Sequence, residues 1–325
     1  MSRTNRYIES SKPYELCLRV KEGLPFPCLL FIRLLLESAM ARAMRGRRVI
    51  VCHYLWMANH LHIVIVIKDA TSAVKFYGEL QKRLTDYMKQ ILGVKRLRMW
   101  EGRATVALII GVDTAIWRIS YLYANPAKAN LIDRIEDYPG ASSWQAFSRT
   151  TKLDDSVSSY VPWIRLPAVP KVGARSITKR EDRELKAALE KSTKKKEHFL
   201  IEPNAWMLYL GVDSHEVSEI NAAILAAVRE AEQKARQARE RKGKKPVGAA
   251  RLREQAIMKS HEPKKKDRKV FVLCLDAEPR ILFIEHVKAL CEQCRKLFKD
   301  RLFLLWPPGM FRPPAGMLAT AIEAL

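Results

Sequence analysis

Two pairs of side chains in this sequence have the types and spacing for phosphodiester chemistry. In NHLHIVIVI, His60 and His62 stand two apart in a run rich in Val and Ile. Residues two apart on a strand point to the same face, so the two imidazoles lie side by side, an arrangement that binds borderline divalent ions through a ring nitrogen. Two ligands do not complete a metal site, and the pair alone fits equally a half-buried sheet histidine beside a chance neighbour. The second pair is Tyr121 and Asn125 in WRISYLYANPAKANLI. Four apart on a helix, they share one face with Cβ atoms roughly 5–6 Å apart. Asn125 can then supply a third, neutral oxygen ligand and Tyr121 a hydroxyl that attacks phosphorus. A phenol of ordinary pKa is only about 0.1% ionised at pH 7, so such an attack needs a cation to polarise the phosphate. The competing reading packs the tyrosine ring on a sheet and uses Asn125 as a helix-terminal residue before Pro126.

The elements that must position these groups are legible from periodicity. Tyr14 to Lys21 alternates Leu16, Leu18 and Val20 against Glu15, Arg19 and Lys21, as a half-buried strand does. A Gly23–Pro27 break precedes an apolar helix, CLLFIRLLLESAMARAM, that stops near Gly46. Arg48–Leu55 and His60–Lys68 read as a hairpin around a Trp56–Asn59 corner. Ser72–Leu92 is an amphipathic helix, Arg98–Ile110 a strand interrupted at Glu101-Gly102, and Thr114–Asn125 a helix ended by Pro126. The order β-α-β-β-α-β-α begins with the ferredoxin-like series. The expected fold class is therefore α+β, an antiparallel sheet with helices on one face, followed by a mainly helical basic C-terminal region.

Four patches carry a resemblance to a known family: CHYLWMANHLHIVIVI, MWEG, SYLYANPAKANLI and EDYPGASSW, in that order over about residues 10–147. Together they resemble the HUH single-tyrosine transposases, and more closely the REP-associated tyrosine transposases. The resemblance implies a ferredoxin-like catalytic domain in which His60, His62 and Asn125 hold Mg²⁺ or Mn²⁺. It implies that Tyr121 attacks DNA to give a 5′-phosphotyrosine and a 3′-hydroxyl, beside hairpins in single-stranded DNA. It further implies a cytoplasmic, nucleoid-associated bacterial protein, monomer or homodimer. Ala58 departs from the family, which usually has Pro there, and should alter turn rigidity more than chemistry. A different class of reading remains: a catalytically silent protein that binds palindromic or hairpin DNA.

Charge agrees with a nucleic-acid partner. Against 35 Asp+Glu the 325 residues carry 58 Lys+Arg, a formal charge of +23 shared almost equally between residues 1–150 and the rest. Six cysteines in so long a chain are no disulfide framework, and no apolar run reaches the roughly 18 residues of a membrane span. Prolines 162, 167 and 170 suggest a boundary, giving three expected parts: a catalytic domain over 1–149, a linker or docking strap over 150–200, and a basic, mainly helical region over 201–325. The last contains a charged helix from Val217 to about Lys242, a lysine run at Lys264–Lys266, a strand-like run from Val270 to Leu275, a Cys291/Cys294 pair on a helix and an extended WPPGMFRPP tail. Tyr123 is the rival nucleophile but points about 200° away from Tyr121 round the helix. Glu101 reads as an exposed acid at a bulge. Trp100 and Trp117 read first as core residues and second as platforms for unpaired bases.

Overall fold

The computed structural model describes residues 7–21, 28–102, 104–257 and 270–311. The Gly23–Pro27 break, the Lys264–Lys266 stretch and the end of the WPPGMFRPP tail lie outside them. Four antiparallel strands, β1 (Lys12–Arg19), β2 (Val49–Trp56), β3 (His60–Ile67) and β4 (Thr105–Ile109), stand in the order β2-β3-β1-β4. With α1 (Leu30–Met44) following β1 and α2 (Ala70–Leu92) following β3, this is the ferredoxin-like arrangement. Strand pleating sorts side chains between two cores. Leu16, Leu18, Ile63 and Ile65 meet Phe31, Leu35, Phe76 and Leu80 of α1 and α2 on one face. Val64 and Val66 meet α3 (Val112–Lys128) on the other. An extra residue in β2 between Val51 and His53 turns both Cys52 and His53 toward the α3 side.

Later segments build onto this unit. In chain order they are α4 (Trp144–Phe147), β5 (Val157–Pro162), α5 (Lys179–Lys191), β6 (Lys196–Ile201), α6 (Ala205–Leu208), α7 (Val217–Glu240), α8 (Ala249–Arg253), β7 (Val272–Leu273) and α9 (Ala277–Lys299). β5 and β6 form their own antiparallel ribbon beside α1, while β7 adds to the edge of the main sheet, parallel to β4. The mixed sheet is thus five-stranded, with a helical C-terminal region as its continuation. Ile224 and Val228 of α7 belong to the same core as Ile119 and Leu122 of α3. No helix among the described residues is long and apolar enough to cross a membrane.

Two helix ends depend on residues far along the chain. Leu29, the residue before α1, offers no capping side chain, yet the first N–H groups of the helix are not orphaned. Asp182 of α5, only 4% exposed, accepts from Leu30 N–H at 2.9 Å and Phe31 N–H at 3.1 Å. Asp182→Ala strands two buried donors and is expected to lower stability by about 1–3 kcal/mol, read as a lower urea midpoint at unchanged slope. An unshifted midpoint would show that water serves those donors equally well.

The other end corrects an expectation. α3 does not stop before Pro126 but runs through it to Lys128. Proline removes only the N–H that Leu122 C=O would accept, and the last turn is secured from outside. Arg239 of α7, 4% exposed, donates to Ala127 O at 3.0 Å and pairs with Asp133. Asn130, at φ 57°, takes the left-handed conformation that ends the helix and donates to Ala127 O. Arg239 therefore faces inward, although it belongs to a helix that reads in sequence simply as charged.

Candidate metal and nucleophile site

Strand register sets the floor of the site. Cys17 of β1 stands opposite His62 and Arg19 opposite His60, so Glu15, Cys17, Arg19, His60 and His62 share the face turned to α3. The two imidazole rings are 4.7 Å apart between centroids and perpendicular. Each ring is held at Nδ1 by an oxygen: His60 Nδ1 lies 2.7 Å from Asn59 Oδ1, and His62 Nδ1 2.7 Å from Glu15 Oε1. Those acceptors favour the tautomer with the proton on Nδ1, which presents Nε2 to an ion, as metal-ligating histidines usually do. Nε2 of His60 lies 3.4 Å from the Asn125 amide. The amide's nitrogen faces the ring, and a half-turn brings its oxygen to the same place. The donor set of two oriented imidazoles and a neutral amide fits a divalent cation.

Glu15 is the residue sequence reasoning missed. It alternates as an outward strand position, yet α3 covers it and leaves it 4% exposed. Besides His62 it holds Arg118 of α3 in a two-pronged pair, Nε to Oε2 at 2.6 Å and Nη2 to Oε1 at 2.8 Å. Burial alone would raise its pKa; the hydrogen bond and charge of His62, and then Arg118, outweigh that and hold the carboxyl below its ordinary value. Arg118 completes a link to Tyr121, because its guanidinium lies 4.5 Å from the centre of that ring. The signal was an acid two residues from the register partner of a histidine, readable only once the register is known.

Tyr121 sits half-buried beside the pair, its ring 6.4 Å from that of His62 and nearly perpendicular to it. The Lys128 ammonium lies 4.4 Å from the same ring, and burial, then Arg118, lowers the pKa of that lysine. Arg118, Tyr121, Asn125 and Lys128 form one stripe of α3, at steps of three, four and three residues, so one helix face carries the phenol, the amide and both cations. Tyr123 is elsewhere. Fully buried, it bonds to His53 Nδ1 at 2.8 Å and Ser143 Oγ at 2.9 Å, and stacks on Phe147.

The MWEG and EDYPGASSW patches brace this site. Lys21 N–H donates to Met99 O and Glu101 N–H to Arg19 O, extending the β1–β4 pairing past the interruption, with Glu101 itself exposed. Tyr138 Oη donates to Trp56 O at 2.7 Å, and Ser143 Oγ accepts from Tyr54 N–H, which ties the histidine hairpin to the chain after α3. Gly140 is required there, since a Cβ would lie 2.4 Å from the Tyr138 ring. Trp100 spends its N–H on Gln81 O and Thr85 Oγ1 and is half-buried, whereas Trp117 is 44% exposed. The six cysteines form no disulfide, and Cys291 and Cys294 are buried on α9. Among the described residues, Asp213, His215 and Glu216 also bring ligand atoms within 4.8 Å of one another, but all three are exposed and Glu216 accepts from Asp213 N–H as the turn into α7 closes.

His53 makes the protein acid-sensitive. Burial drives its pKa from the ordinary 6.5 to about 3. Its neutral form contributes stability that is complete above pH 6.5 and declines as pH falls toward 3, by up to about 1.4 kcal/mol per unit. Denaturation followed between pH 7 and 4 should therefore be shallower for His53→Gln than for the parent. Equal slopes would mean that protonated His53 is accommodated.

No protein-family profile and no curated protein matches this chain. Among solved structures, one described as the REP-associated tyrosine transposase bound to a REP hairpin is similar, at 19% identity and a TM-score of 0.39 over 46% of this chain and 87% of that one.

Proposed function

We propose that the protein cuts and rejoins single-stranded DNA beside hairpins, with Tyr121 as nucleophile. The observation that carries this is the meeting of a phenol flanked by two cations with two imidazoles whose Nδ1 atoms are already engaged. His60, His62 and Asn125 would hold Mg²⁺ or Mn²⁺. Such an ion supplies positive charge for the scissile phosphate. Tyr121 Oη forms a bond to phosphorus and loses its proton, while the bond from phosphorus to the 3′-oxygen breaks. The departing oxygen takes up a proton, which leaves a 3′-hydroxyl and a 5′-phosphotyrosine, and the reverse step joins another 3′-end. Arg118 and Lys128 favour negative charge on the phenol and draw in the phosphate. Glu15 keeps His62 oriented. The preference for hairpins comes from the motif resemblance, and the charge of +23 supports a polyanionic partner. In this reading residues 1–149 carry the chemistry and the basic region over 201–325 helps hold the hairpin.

The test is a labelled hairpin-bearing single strand incubated with the full chain in Mn²⁺ or in chelator, then run under denaturing conditions. A covalent adduct in Mn²⁺ that chelator removes is the expected result. Tight hairpin binding with no adduct in either metal would replace the enzyme with the silent DNA-binding alternative.

A further inference from the structure

Resting on that reading of the site, we infer that Trp117 is a stacking platform for an unpaired nucleobase next to the phosphate that Tyr121 attacks. Trp117, Tyr121 and Asn125 follow one another at four-residue steps, so they line one edge of α3 in sequence. With about 100° per residue, Trp117 and Lys128 fall on the solvent side of the stripe and Arg118 and Asn125 on the sheet side. The indole is 44% exposed, whereas on the same helix Tyr121 is half-buried and Tyr123 wholly buried. The Arg118 guanidinium lies 5.7 Å from the centre of the Trp117 ring and 4.5 Å from that of Tyr121. An exposed π-face beside fixed positive charge is what single-strand binders offer to successive nucleotides, the base to the ring and the phosphate to the cation.

Geometry also indicates which form of DNA fits. Four residues separate Trp117 from Tyr121, about 6 Å along the axis. A base stacked on the indole has left its neighbour on that side, because the ring takes the place that the neighbouring base would occupy. Paired DNA keeps its bases stacked and cannot do so. Trp117 would thereby favour an unpaired nucleotide beside the cleaved bond, independently of how the hairpin itself is held.

The experiment uses the Tyr121→Phe chain, so that no cleavage intervenes, and measures affinity for a hairpin strand in which each unpaired nucleotide in turn is made abasic. Stacking contributes about 1–3 kcal/mol per base, so Trp117→Ala should weaken binding of the intact strand about 5- to 150-fold and Trp117→Phe much less. One abasic position should weaken binding to the Trp117 protein by a similar factor and leave Trp117→Ala unaffected. Equal affinity of Trp117→Ala and its parent, or an abasic profile unchanged by the substitution, overturns the inference. Thermal melting of Trp117→Ala guards against misfolding: lost affinity with a lowered melting temperature, not recovered in Trp117→Phe, also counts against it. Adduct formation by the wild-type chain is scored separately, so a silent binder with an intact stacking site and an active enzyme without one give different results.

Discussion

Tyr121→Phe and Tyr123→Phe are expected to fail in opposite ways. The first should bind hairpin DNA as the parent does and melt at the same temperature, because a half-buried ring held between Arg118 and Lys128 loses one hydroxyl and keeps its packing. Its covalent adduct should vanish, a fall on the order of 10³ or more, since nothing else on that helix face can bond to phosphorus. The second should keep the adduct and lose stability. Tyr123 Oη joins His53 to Ser143 in the interior; Ser143 keeps its bonds to Tyr54, but buried His53 Nδ1 loses its hydroxyl partner, at a cost of about 1–3 kcal/mol. Adduct mapping by denaturing gel and urea melts of both variants make the comparison. An adduct that survives in Tyr121→Phe would reassign the nucleophile.

Glu15→Gln is the second large effect. The carboxylate takes three hydrogen bonds, one from His62 and two from Arg118, and an amide offers one oxygen to the same donors while turning an N–H₂ toward the others. Arg118 is left with an uncompensated charge in a mostly buried place, for which a loss of about 3 kcal/mol is the expected scale. His62 is also freed to rotate, and loss of such a partner typically weakens metal affinity 10–100-fold. Calorimetric titration of Mn²⁺ into the variant and the parent measures this directly, and equal affinities would show that Glu15 serves stability alone. The acid response follows as well. Because the folded carboxyl has a lowered pKa, the stability it contributes is present above the ordinary glutamate pKa and lost as pH falls through the lower folded value. Glu15→Gln should lack that part of the acid loss and retain the part due to His53.

The sequence carried more of this site than its individual residues suggest. Alternation and helical periodicity were enough for the first five elements, within two residues at their ends, whereas the fourth strand, expected from Arg98, is regular only over Thr105–Ile109. His60, His62, Tyr121 and Asn125 were each readable from spacing within one element. Glu15 and Arg118 were not, because their meaning lies between elements. A glutamate at an outward strand position reads as solvated until a helix is known to cover it, and an arginine three residues before a tyrosine reads as surface charge until the acid beneath it is found. Pro126 illustrates another limit. Its local preference to end a helix is outweighed by Arg239, more than a hundred residues later, which holds the final turn. The joining of β7 to β4 depends on a two-residue pairing and has no periodic signature.

The docking of α7 along α3 carries a consequence for biosynthesis. The helix bearing Tyr121 is gripped on one flank by the sheet and on the other by a segment whose last anchoring residue is Arg239. A chain growing from the ribosome at about 5–20 residues per second therefore spends several seconds with the tyrosine already emerged and its supporting helix not yet synthesised. Through that interval the part of α3 that packs on Ile224 and Val228 lacks that cover.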